Sequence, residues 1–244
     1  MSTAESNVSS IYDTLTYFAR FHESGWIDDN DIFKSSDSLV RVIYLVDSVM
    51  LRVKQIEREI SNVSRVLRNL FQEHGILVRG GMAFGNVCAN VKQNILFGPA
   101  MNRAVELESS VANWPRVMVD RIPDSWGDAE YYNRIALRLV KDGDLFYIAH
   151  LRKDNYKYHR YTSQVIESVP ICIEEERFKR QRARIVCGLA EYRNSCRVLS
   201  KYQWIAREHN AGIRAYADDA VYTKLKELFI PENQTQGVEL PQNK

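Results

Sequence analysis

The chain is poor in the residues that interrupt or staple a fold. It has six prolines and four cysteines in 244 residues, with no Cys-x-x-Cys pair. Cys88, Cys172, Cys187 and Cys196 therefore fit neither a zinc ribbon nor a disulfide framework, and buried free thiols in a reducing compartment are expected. No apolar run approaches the roughly 20 residues of a membrane-spanning helix, so no membrane partner is expected. The first ten residues, MSTAESNVSS, lack the basic-then-apolar pattern of a secretory leader, which predicts a cytoplasmic protein. An excess of one charge is missing too, with 33 Lys and Arg against 31 Asp and Glu. That balance makes no general case for nucleic acid, and none is expected as a partner. Catalytic signatures are equally scarce: there is no P-loop, dinucleotide fingerprint, G-x-S-x-G or H-E-x-x-H. His22, His74, His150, His159 and His209 are expected at the surface or in interfaces.

What is present describes a globular protein of one large domain plus an appendage. Hydrophobic residues make up 45% and charged residues 26% of the chain, close to the globular average. Five of the eleven glycines fall between Gly75 and Gly98. Glycine goes where backbone must approach something closely or take positive φ, so this segment stands out.

Periodicity outlines the elements. Val8, Ile11, Leu15, Phe18 and Ala19 predict a helix behind capping serines, ended by Gly25. The run DIFKSSDSLVRVIYLV predicts a β-hairpin that turns at Ser35-Ser36-Asp37-Ser38. Val53, Ile56, Ile60, Val63, Leu67, Leu70 and Phe71 form one stripe of a long helix from Val49 to His74, with Gly75 as its cap. Residues 76–84 and 87–97 predict a second hairpin joined near Gly85-Asn86. Gly98-Pro99 opens the next helix, PRVMVD reads as a strand, 120–141 as a loop or insertion, and 144–149 as a further strand. Residues 162–210 read as helical. Their basic stretch at 177–184 predicts a solvated face, with an RNA-docking surface as the remote alternative. The polar end from Pro231 predicts a disordered tail. The expected class is α+β: a largely antiparallel sheet with packed helices over 1–150, then a helical extension over 151–230.

Asp37 is the first residue with chemical interest. Hard divalent cations take carboxylate oxygens and leave other positions for phosphates; an aspartate that caps its own turn is the alternative.

The segment from 77 to 120 sharpens this. It carries Arg79-Gly80-Gly81, Gly98-Pro99-Ala100, Leu107-Glu108-Ser109 and Ala112 to Arg116, behind Ser36-Asp37-Ser38. In these motifs and their order the chain resembles the class III nucleotidyl cyclase domain, most of all the bacterial pyrimidine cyclases of Pycsar antiphage systems. The KYQW segment at 201–204, with His209-Asn210, is similar to the tail of that branch. The resemblance covers residues 8–150 well and the helical end loosely.

The resemblance implies a cyclase-like, ferredoxin-like sheet and conversion of a pyrimidine triphosphate to a 3′,5′-cyclic monophosphate, cUMP ahead of cCMP. It implies Mn2+ or Mg2+, with Asp37 as a metal ligand. It implies a homodimer with shared sites, and a downstream effector protein that senses the product. Asn102 matches the family's ribose-orienting asparagine. The arginine expected one turn later is Glu106, so Arg79 and Arg103 are left as the candidate cations, Arg79 as a catalytic residue and Arg103 at the substrate. The positions that read a purine edge are Phe33 and Ile95, which offer no side-chain hydrogen bond and fit a smaller pyrimidine. The family's other metal aspartate, on a first strand, has no match, and the chain is expected to lack that strand. A catalytically inactive or amino-terminally truncated binding or oligomerisation module is the alternative.

Overall fold

The computed structural model describes residues 33–35, 39–43, 56–85, 87–90, 95–122, 138–152, 157–158, 167–168 and 171–235. The predicted first helix and Asp37 lie outside them. The protein is α+β and divides into two compact units, 1–150 and 151–244.

In the first unit, helix α1 (Ile56–His74) buries Ile60, Val63, Val66, Leu67, Leu70 and Phe71 along one stripe, while Asn69 and Glu73 stay exposed. Gly75 ends it at φ 69. Its N–H donates to Phe71 O at 2.8 Å and that of Ile76 to Leu70 O at 3.0 Å, the paired bonds of a left-handed cap. Nothing lies within 4 Å of where a Cβ on Gly75 would stand. Gly75→Ala should therefore cost only the backbone strain, about 1 kcal/mol. Urea unfolding checks this, and a loss above about 2 kcal/mol would contradict it.

The strands differ from both predicted hairpins. β1 (Phe33–Ser35) and β2 (Leu39–Ile43) do not pair with each other. β2 runs antiparallel to β3 (Gly80–Phe84), with Leu39 opposite Phe84 and Ile43 opposite Gly80. β1 runs antiparallel to β4 (Val87–Asn90), with Phe33 opposite Ala89 and Ser35 opposite Val87. β1 and β2 thus pair with separate strands of the 80–90 segment, each in its own sheet. A polar stretch between two apolar ones reads locally as a hairpin turn, but the flanking strands find other partners. The tight hairpin joins β4 to β5 (Ile95–Phe97).

Helix α2 (Pro99–Glu106) continues into a π-helical turn, Leu107–Val111. β6 (Val117–Val119) then lies parallel to β3, so the largely antiparallel sheet that is expected carries one parallel pairing among the described strands. β7 (Leu139–Asp142) and β8 (Leu145–Ile148) form a hairpin, β7 occupying part of the predicted loop. The order is β2-β3-β6-β8-β7, beside a three-stranded sheet β1-β4-β5. Met82, Val117, Val119 and Ile148 meet the α1 stripe in one core.

The second unit begins with the short pair β9 (Lys157–Tyr158) and β10 (Glu167–Ser168), where helix is predicted from 162. Helices α3 (Ile171–Glu191) and α4 (Cys196–Arg214) follow. The buried side of α3 is partly polar. Gln181 donates to Leu151 O at 3.2 Å, and Arg177 donates to Glu174 and to Arg152 O. Tyr216 O–H also donates to Glu174. Arg177 is 6% exposed, so the predicted solvated face holds for Lys179, Arg180 and Arg184 but not for it.

α5 (Tyr222–Leu225), a 3-10 turn and α6 (Glu232–Thr235) close the unit. Residues 231–235 are ordered where a disordered tail is predicted, because side chains of α4 hold this strap by its main chain. His209 Nε2 donates to Leu228 O at 3.0 Å. Asn210 donates to Ile230 O and accepts from Ile230 N. Arg207 donates to Thr235 O at 2.8 Å. His209 and His150 are buried, at 0% and 6% exposure, against the expectation of surface positions. Cys187 and Cys196 are free but exposed, not buried. Among the described residues no helix is long and apolar enough to cross a membrane.

Candidate active site

The glycine-rich run and the motifs after it converge on one place, the seat of α2 on β3. Gly81 sits directly under the helix: a methyl there would overlap Ala104 O and stand 2.9 Å from Leu107 Cβ. Gly80 N–H donates to Arg116 O at 3.1 Å, and Asp120 N–H to Met82 O at 2.8 Å, which join β3 to the strand after α2.

Two ion pairs fasten the helix at separate points. Arg79 Nε lies 2.5 Å from Glu108 Oε1, with Glu108 itself buried in the π-helical turn. That turn closes with Ala112 N–H donating to Leu107 O. Arg103 grips Asp120 with a two-pronged fork, Nε to Oδ2 at 3.2 Å and Nη2 to Oδ1 at 3.1 Å. Its remaining nitrogen, Nη1, donates to Glu106 Oε2 at 2.9 Å. Asp120 first and Glu106 second raise the Arg103 guanidinium above its ordinary value, so its charge is committed. The three residues together carry one negative charge.

The expected site residues take these positions. Asn102 is exposed on α2, its backbone N–H bonded to Gly98 O at 3.0 Å. Glu106 is exposed one turn further on. Arg103 and Arg79 are both engaged by carboxylates, which sequence alone does not reveal. Phe33 and Ile95 lie in the same three-stranded sheet on either side of β4, but on adjacent rungs: Phe33 opposes Ala89, and Ile95 opposes Asn90. Arg116, from the same motif run, is 8% exposed, bonded to Asp142 at 2.6 Å and stacked 4.8 Å above the Tyr147 ring. It braces β6 against the β7–β8 hairpin. Asp120 is the functional neighbour that sequence reasoning missed; it is 17 positions from Arg103, and only its place at the end of PRVMVD marks it.

Among the described residues, no three of His, Cys, Asp and Glu come together to hold a metal ion, and Asp37 lies outside those residues. No family model matches the chain, and neither does any curated protein or solved structure.

Proposed function

We propose that the chain is a pyrimidine nucleotide cyclase that closes UTP or CTP to the 3′,5′-cyclic monophosphate, cUMP ahead of cCMP, and releases pyrophosphate. It acts as the second-messenger generator of an antiphage system whose effector protein senses the product. The ribose 3′-oxygen attacks the α-phosphorus in line and pyrophosphate leaves. Asn102 orients the ribose from the exposed row of α2. Phe33 and Ile95 oppose successive residues of β4 and so belong to opposite faces of that sheet, which leaves one of them, Phe33, to stack on the base without reading a purine edge. Asp37, a divalent cation and a second copy of the chain complete the site by the family resemblance.

One observation carries the reading: the motifs between Arg79 and Arg116 bond to one another. Arg79 meets Glu108, Gly80 meets Arg116, and Gly81 receives the helix that bears Asn102. A motif set that seats one helix closely on one strand supports a site, because catalytic geometry depends on such placement.

The test is to incubate the purified chain with UTP, CTP, ATP or GTP and Mn2+ and separate the products by chromatography. Cyclic product from UTP or CTP is expected, lost on chelation, with Asn102→Ala reducing turnover by about 100-fold or more. No product from either pyrimidine, or a preference for ATP or GTP, would refute it.

A second reading, a nucleotide-binding module without turnover, draws on the engagement of Arg79 and Arg103 by carboxylates. Calorimetry that finds UTP binding without product would favour it.

A further inference from the structure

The near-neutral charge of the chain is an average of two unlike halves. Residues 1–150 carry 16 Lys and Arg against 19 Asp and Glu, whereas residues 151–244 carry 17 against 12. The excess in the second unit is concentrated. Between 182 and 201 stand four arginines and a lysine against one carboxylate, Glu191. That stretch is the tip where α3 turns into α4.

Several cations elsewhere in the unit are paired with carboxylates. Arg177 binds Glu174, Arg152 binds Glu208, and Lys179 and Lys224 share Glu175. At the tip the pattern breaks. Arg193 and Arg197 are exposed and make no ion pair among the described residues. The one carboxylate in the stretch, Glu191, is exposed beside Tyr192 and raises the pKa of its hydroxyl. Tyr192 is partly exposed and stacked on Tyr202, with centroids 5.6 Å apart and planes 12° from parallel.

From this placement we infer that the α3–α4 tip is a docking surface for single-stranded nucleic acid, independent of the cyclase reading. Guanidinium groups bind phosphate through two parallel hydrogen bonds, and a ring held by stacking offers a base its face. A bilayer is a poorer fit. Val186 is the one exposed large hydrophobic residue among those described in this unit, and a single valine is too small an apolar anchor for a bilayer. An acidic protein surface would answer the charge but would make no use of the ring.

Fluorescence anisotropy with labelled 20-nucleotide single strands, RNA and DNA, tests this on the full chain. Binding of about 1–10 µM is expected at 50 mM salt, weakening roughly 50-fold at 200 mM if about four phosphates are neutralised. Arg193→Ala/Arg197→Ala should weaken it about tenfold, while Lys224→Ala/Lys226→Ala, with the same loss of charge elsewhere on the unit, should leave it within about twofold. Three results would overturn the inference: no binding by the wild type, equal losses from the two double variants, or tighter binding to polyglutamate or anionic vesicles than to the oligonucleotide. A chain that makes cyclic nucleotide yet ignores single strands refutes this inference alone.

Discussion

Gly81→Ala is expected to destabilise the sheet unit by about 3 kcal/mol or more, at the upper end of what overpacking costs. The added methyl meets the Ala104 carbonyl and the Leu107 side chain base, both parts of the helix rather than the far end of a flexible side chain. Either α2 lifts off β3 or β3 bends away from β2 and β6. Both movements strain the Arg103–Asp120 pair, which holds the second half of the helix, and the Arg79–Glu108 pair, which holds the turn after it. Gly143→Ala is the matched control. Gly143 has φ 62 but open space around it, so alanine there costs about 1 kcal/mol of backbone strain only. Urea unfolding of the two variants separates lack of room from lack of conformational freedom. Equal losses would show that α2 is not seated as tightly as Gly81 indicates.

The second large effect concerns acid. His209 is fully buried, its ring edge-on to Phe178 at 5.4 Å, with Nδ1 unpartnered. Burial is the main cause that pushes its pKa down to about 4, opposed by the bond to Leu228 O and reinforced by the charges of Arg177 and Arg182. The unfolded chain binds the proton near pH 6.5. The neutral ring's contribution is therefore fully present above about pH 6.5 and is lost as pH falls toward 4. Between those limits the loss amounts to about 3 kcal/mol. Urea unfolding followed by the helical circular dichroism signal at pH 7.5 and 4.5 should show it. His209→Gln keeps a donor for Leu228 O and removes the titration, so its stability should fall less over the same range. If both proteins lose the same amount, the proton is going elsewhere.

Local and charge-free features were the legible part of this fold. α1 and its cap could be read because seven apolar positions share one face and a glycine follows at once. The opening of α2 was as clear, from Gly98-Pro99. Pairing between distant segments was not. The run through Asp37 has the composition of a hairpin, but the strands on either side of it pair with a segment some 45 residues away. α3 hid its buried side for a different reason: Glu174, Arg177 and Gln181 occupy core positions, so hydrophobic periodicity is muted there. At the candidate site, sequence located Asn102 and the arginines but could not say that those arginines are already held. Ion pairs such as Arg103 with Asp120 depend on how a helix settles on a sheet, which spacing along the chain does not encode.

The pairing of β1 and β2 with the strands of 80–90 also has a consequence in time. Its two sides are separated by the whole of α1, so closing it ends a long loop, whereas α3 and α4 need only a four-residue turn between them. Contacts near in sequence form fast and distant ones slowly. The helical pair is thus the quick element and the sheet the slow one. Chain order sets them the other way round, since the slow unit leaves the ribosome first. Its unpaired strands wait longest, with their apolar rows open to other chains until β3 finds β2.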